Sequence, residues 1–288
     1  MRLKIFLLFA LITLCTYTPR NIANAATFPI TGDVVGAKTF YTLQEKNDLS
    51  QIAREHDIGI IELLAANPGI NPQKIKSGMQ IVIPSMYILP EPIHSGIVIN
   101  LAELRLFYYS AEGKVITFPI GIGRDGWETP TARTKILRKR KNPIWTPPES
   151  LRVEDPKLPQ SIPAGPNNPL GYYALDLGVT GLLIHGTNKP YSVGKRSSHG
   201  CIRLYPEDIE QLFNMVEAGT TVTIIDNPIK FGWLDGKLYM EAMPSNEHYT
   251  PINFHELISQ KASDTKVNWQ VINQAIQKRA GIPVIISK

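Results

Sequence analysis

The sequence predicts a mainly β chain carrying one small mixed unit near its amino end. Three observations lead there. Short apolar runs of strand character recur at regular spacing from Gly96 to Ile225, the pattern of a β-sandwich or partly closed barrel. Residues 40–84 read strand, helix, helix, strand. Eight prolines between Asn142 and Gly171 exclude regular structure there.

Taken in order, Met1 to Ala25 has the anatomy of an export signal. Arg2 and Lys4 give a positive start, Ile5 to Cys15 an apolar stretch, and Ala23-Asn24-Ala25 a small-residue cleavage site. The apolar stretch is too short to span a bilayer, and Leu14 before Cys15 does not suit a lipoprotein signal. No further spanning segment follows. Removing residues 1–25 takes away three of the formal +5 charges, leaving +2. With no basic stripe interleaved with aromatics, nucleic-acid binding is excluded. The basic run Lys135, Arg138, Lys139, Arg140 and Lys141 reads as a solvated strand face.

In residues 40–84, Phe40 to Leu43 is a short strand and Asp48 caps a helix with Leu49, Ile52 and Ala53 on one face, Gln51 completing a capping box. A second helix spans Ile60 to Ala65 and stops at Asn67-Pro68-Gly69; Met79 to Ile83 returns as a strand. Residues 85–95, proline-rich, read as a stiff linker. Strands follow at Ile97–Asn100, Leu104–Tyr109, Val115–Ile120, Thr134–Leu137, Tyr173–Leu177 and Val222–Ile225, with a helix opening at Pro206. The proline-rich stretch 142–171, with Trp145 and Tyr172 beside it, reads as a lid over a cleft, the alternative being a disordered insertion. Beyond Asp226, Asp235-Gly236 between apolar runs predicts a type I′ hairpin. Val267 to Arg279 predicts a helix stopped by Gly281, and residues 227–288 receive no function. A carboxylate pair of Asp235 and Glu241 is the weaker reading of that segment.

The chemistry concentrates in Ser198-His199-Gly200-Cys201-Ile202-Arg203. After leader removal Cys201 is the only cysteine, and in an oxidising compartment a lone thiol departs from disulfide practice. A thiol attacks as thiolate, so it needs a base; His185, closing the apolar run Gly181–Ile184, can supply one. Cys201 is expected just before the positive end of the helix that starts at Pro206. His185, His199 and Cys201 lack the second cysteine and the spacing of a zinc site, so neither metal nor cofactor is expected.

These motifs carry a resemblance. His185-Gly186-Thr187-Asn188 followed by Ser198 to Leu204, together with Gly121–Thr131 and Pro163–Gly171, resembles the L,D-transpeptidases (YkuD domain), in the periplasmic branch that also bears a LysM module. Residues 40–84, with Leu63 to Pro68, resemble that LysM module; the catalytic domain then spans 96–226. Ala132 stands where the family usually has glycine, at a position expected to shape a hairpin. The resemblance implies a mostly β catalytic fold and a periplasmic enzyme acting on peptidoglycan glycan and stem peptides. Cys201 becomes the nucleophile that forms a thioester with a tetrapeptide stem and releases D-alanine, and His185 the base and acid. The carbonyl of Gly186 orients the imidazole, the amides of Gly200 and Cys201 form the oxyanion hole, and His199 shapes the pocket. Arg203 holds a substrate carboxylate, its alternative being a salt bridge to Glu207, and Ser198 contacts substrate. The acceptor stays open between a second stem peptide, the lysine of an outer-membrane lipoprotein and water; the last would make a carboxypeptidase. Activity is expected to rise from mildly acid towards alkaline pH. A noncatalytic wall-binding protein is the competing class, and labelling by a carbapenem separates the two. A papain-like endopeptidase fits poorly, because cysteine precedes histidine there.

Overall fold

The computed structural model describes residues 25–45, 47–91, 95–244, 254–262 and 264–288. The expected export signal, apart from Ala25, lies outside the described residues. The amino-terminal stretch that sequence left unassigned forms β1 (Ala26–Pro29) and β2 (Val34–Gly36). The mixed unit follows as β3 (Thr39–Thr42), α1 (Leu49–Glu55), α2 (Ile60–Ala66) and β4 (Gln80–Ile83), with β3 and β4 antiparallel. Asp48 caps α1 by accepting from the Ser50 amide at 2.8 Å. Gln51 does not complete a capping box; its side chain reaches along the helix to Glu55. Leu43, Leu49, Ile52, Ala53, Ile58, Leu63, Ile81 and Ile83 form one buried cluster, each large side chain contributing about 1.5–3 kcal/mol. Asn67 ties α2 to β4 by donating to the Val82 carbonyl and accepting from its amide.

The stretch expected as a stiff linker is not one throughout. Met86–Ile88 forms β5, antiparallel to β2, and Tyr87, Ile88 and Leu89 are buried. Apolar side chains in a proline-rich stretch outweighed the linker reading, because β2 gave them a partner invisible in sequence.

From Gly96 the chain builds β6 (Gly96–Asn100), β7 (Arg105–Tyr109), β8 (Lys114–Pro119), β9 (Ile122–Gly123), β10 (Ala132–Lys141), α3 (Glu149–Glu154), β11 (Tyr173–Leu177) and β12 (Leu183–His185). Then come β13 (Arg196–Ser198), β14 (Ile202–Arg203), α4 (Pro206–Met215) and β15 (Thr221–Ile225). One sheet runs in the order β1-β8-β7-β6-β15-β10-β11-β12-β14. The long β10 is its hinge. Its first half pairs with β15 and its second with β11, with an irregularity between Ile136 and Arg138, and such a bulge bends a strand. The two leaves enclose the largest core: Ile97, Ile99, Leu106 and Phe118 from one, Leu175, Ile184 and Ile202 from the other, with Ile209 and Leu212 of α4. The expected mainly β fold is thus present as a single curled sheet. Ala132 does not shape a hairpin; it opens β10 opposite Ile224.

The tail packs as its own cluster. β16 (Ile229–Leu234) and β17 (Lys237–Ala242) form the expected hairpin, with Asp235 and Gly236 both at positive φ as a type I′ turn requires. The described residues add α5 (Phe254–Ala262), α6 (Trp269–Lys278) and β18 (Val284–Ile285). Helix α6 is capped by Asn268 and ends at Arg279 in the left-handed conformation, two residues before the expected glycine stop. Asp235 and Glu241 form no carboxylate pair: Glu241 is buried and joins a buried ion cluster with Lys230 and Glu103. No described helix is long and apolar enough to cross a membrane.

Candidate active site

Strand β12 runs parallel to β14, with Ile184 beside Ile202 and His185 beside Arg203. Side chains alternate along a strand. Ile184 and Ile202 therefore face the core, where both are fully buried, while Leu183, His185, Cys201 and Arg203 face the other way. That face opens on a cleft of about 690 Å³ lined by His185, Cys201, Arg203, Ser198, His199 and Arg140 among others. The sequence separation of Cys201 and His185 is closed by one parallel strand pair. The expected placement of Cys201 at a helix entrance does not hold: β14 intervenes, and α4 begins only at Pro206.

The thiol and the imidazole are both shifted towards their uncharged forms. Burial pulls the pKa of His185 down to about 3, with the positive charge of Arg203 adding to the effect and the Gly186 carbonyl opposing it. Burial likewise pushes the Cys201 thiol up, offset in part by a backbone hydrogen bond from Leu183 and by Arg203. The thiol lies 3.5 Å from the Gly181 carbonyl. His185 Nδ1 sits 2.5 Å from the Gly186 carbonyl, an acceptor only, so Nδ1 carries the proton and Nε2 keeps its lone pair.

The turn before the cysteine is held from two sides. Gly200 adopts φ +94°, a region that L side chains rarely enter. Its carbonyl accepts from Thr129 Oγ1 at 2.7 Å, and Thr129 Oγ1 in turn accepts from the Gly123 amide. The Ser198 hydroxyl donates to the Cys201 carbonyl at 2.5 Å and is buried, so it braces the turn rather than reaching out to a ligand. Arg203 makes no pair with Glu207, whose two oxygens accept from Nε and Nη2 of Arg54 in α1. The Arg203 Nε is buried without a partner among the described residues.

Against known proteins, a profile of the L,D-transpeptidase catalytic domain (YkuD) matches residues 94–224, and one of the LysM domain matches residues 41–84. The chain is 38% identical over 297 residues to a probable L,D-transpeptidase, YbiS, of Escherichia coli strain K12, covering 96% of this chain and 95% of that protein. This chain belongs to the L,D-transpeptidase family. The same organism's probable L,D-transpeptidase ErfK/SrfK is 38% identical over 284 residues, 91% of each chain. A solved avibactam carbamoyl enzyme, Ldtfm, overlaps 51% of this chain and 55% of its own at 26% identity and a TM-score of 0.38.

In this transpeptidase the proline-rich stretch is an ordered cover. Trp145 and Ile162 exchange backbone hydrogen bonds. Asn168, fully buried, donates to the carbonyls of Pro143, Ile162 and Pro163 and accepts from the Leu170 amide. Against expectation the stretch contains a helix, α3, which starts directly after Pro148. At its end Glu154 accepts from Arg124 and from the Trp127 indole, and lies 3.3 Å from His199 Nε2. The ring of His199 stands edge-on to Trp127, centroids 5.0 Å apart. Sequence reading missed Glu154, Arg124 and Arg140, which line the cleft, and Trp127 and Asn168, which hold its walls from behind. Only the quoted Gly121–Thr131 and Pro163–Gly171 motifs hinted at three of them.

Proposed function

We propose that this L,D-transpeptidase acts on peptidoglycan stem peptides with Cys201 as nucleophile and His185 as general base and acid. What carries the reading is the β12–β14 register, which supports Cys201, His185 and Arg203 on one face of one cleft. The unprotonated Nε2 of His185 takes the thiol proton as the sulfur attacks the carbonyl of the third stem residue. The backbone amides of Gly200 and Cys201 receive the developing oxyanion. Collapse breaks the peptide bond to D-alanine; His185 gives its proton to the leaving amine, and a thioester remains on Cys201. An amine acceptor then attacks the thioester, returning a proton through His185 and restoring the thiol.

Arg203 lines the cleft and would hold a substrate carboxylate there. Ser198 acts on the turn, and His199 on the wall of the pocket. The LysM module would hold the glycan, and the enzyme would work in the periplasm after loss of residues 1–25. The amine is either that of a second stem peptide, giving a 3→3 cross-link, or a lipoprotein lysine, giving covalent anchoring; water as acceptor is the carboxypeptidase alternative. Incubating the protein with purified tetrapeptide muropeptides and reading products by mass spectrometry tests this. Loss of D-alanine with a cysteine-linked adduct is expected. An adduct retained in Cys201→Ala, or no carbapenem labelling of the thiol, overturns it.

A further inference from the structure

The amino-terminal edge of the fold holds a buried acidic pocket that the chemistry above does not use. Asp57, between α1 and α2, is 4% exposed, and Asp208 on α4 is 2% exposed. Asp57 Oδ2 accepts from the backbone amide of Ala26 at 2.8 Å, while Asp57 Oδ1 and Asp208 Oδ2 are buried without partners among the described residues. The neighbouring cations are engaged elsewhere. Arg54 spans both oxygens of Glu207, and Arg105 binds the Glu62 carboxylate, Thr117 and the backbone carbonyl of Asp57. Among the described residues, four carboxylates (Asp57, Glu62, Glu207 and Asp208) thus face two guanidinium groups. Burial raises both Asp57 and Asp208, Asp57 adds to the rise at Asp208, and Arg105 opposes both. A buried carboxylate lacking a counter-charge is costly, so the pocket is short of cations.

The sequence places a cation source at the same point. The small-residue motif Ala23-Asn24-Ala25 marks the bond between Ala25 and Ala26 for cleavage. Hydrolysis of that bond by a leader peptidase consumes one water, leaves a carboxylate on Ala25 and makes an ammonium on Ala26. The nitrogen that now donates one proton to Asp57 would then carry three protons and a positive charge. Departure of Ala25, itself buried and held by Gln211 of α4, vacates space beside it.

We propose that the ammonium group created at Ala26 by leader removal binds the buried carboxylate of Asp57, with Asp208 as second acid of the pocket, and so locks the LysM module onto the catalytic sheet. Three elements meet at that charge: β1 on the sheet edge, the α1–α2 turn of the LysM module, and α4, which follows the cysteine motif. The unprocessed chain lacks the charge and is the looser form. This inference rests on the export-signal reading and not on the acyl-transfer chemistry.

The test compares four purified chains: residues 26–288 with a free terminus, the same chain with residues Gly-Ser added before Ala26, and each with Asp57→Asn. The extension is expected to lower Tm by about 5 °C on the native background and to leave it unchanged in Asp57→Asn. Independently of any variant, the α-amine of the native chain should react with a limiting amine reagent at pH 7 at least about tenfold more slowly than in urea, because an ion-paired ammonium holds its proton. Equal Tm losses in both backgrounds, an α-amine as reactive folded as unfolded, or an exported protein whose first residue is not Ala26 would each overturn the proposal. Transpeptidation is not read in any arm, so a failure here leaves the acyl-transfer reading standing, and the reverse.

Discussion

Alkylation of Cys201 reports whether the resting sulfur is ionised, and the structure fixes the answer in advance. An ordinary thiol with a pKa of about 8.5 is ~3% thiolate at pH 7. Burial pushes Cys201 above its ordinary value, and the Leu183 hydrogen bond and Arg203 offset only part of that. His185, held near 3, is neutral at pH 7 and offers the sulfur no imidazolium partner. The iodoacetamide rate at pH 7 should therefore lie at least about thirtyfold below its value at full ionisation, rising close to tenfold per pH unit towards alkaline. The assay follows modification of the Cys201 peptide by mass spectrometry from pH 5 to 10, with the denatured chain as reference. Arg203→Gln removes a nearby positive charge, so the thiol moves further up and the pH 7 rate falls below that of the native enzyme. A rate independent of pH between 5 and 8 would mean a preformed thiolate–imidazolium pair, and the scheme of proton transfer during attack would fail. One correction follows for turnover. An acid limb near pH 6–7 belongs to the thiol and the acceptor amine, since His185 stays unprotonated through that range; such a limb carries no information on the imidazole.

Other outcomes can be measured directly. His185 has its folded pKa depressed below the unfolded value of about 6.5, so its contribution to stability is complete above that pH and lost as pH falls to about 3. Relative to His185→Gln, the native chain should lose on the order of 5 kcal/mol across that window by denaturant unfolding. Asn168→Ala strips three carbonyls and one amide of a buried partner, at about 1–3 kcal/mol for a buried group left unsatisfied; faster amide exchange across 142–171 and loss of turnover are expected. Glu154→Gln weakens the contact of α3 with Arg124 and His199, both partly exposed, so Tm should hardly move while KM rises. Lys230→Met leaves Glu103 and Glu241 buried without their cation and should cost roughly 3–5 kcal/mol, read as a drop in Tm.

The legible parts were those written in local chemistry. Asp48 with the helical spacing after it, Asp235-Gly236 between apolar runs, Pro206 at the first turn of α4 and the short apolar runs of β6, β7, β8, β11 and β15 each carry their signal within a few residues. Where the reading failed, a distant partner had decided. Met86–Ile88 is a strand because β2 lies beside it, and Thr134–Leu137 extends to the ten residues of β10 because two different strands pair with its halves. Arg203 is separated from Glu207 because Arg54, 153 residues away from that carboxylate, reached it first.

The same division holds at the cleft. Sequence alone singled out a lone thiol in a glycine turn and a histidine closing an apolar strand as candidates for one chemistry, since residue type and spacing limit what a cysteine can do. Tertiary structure alone decided that β12 and β14 run parallel, setting both groups on one face, and that the surrounding protein is dry enough to keep them neutral. Register and desolvation are sums over atoms from the whole fold, and no short stretch of sequence contains them.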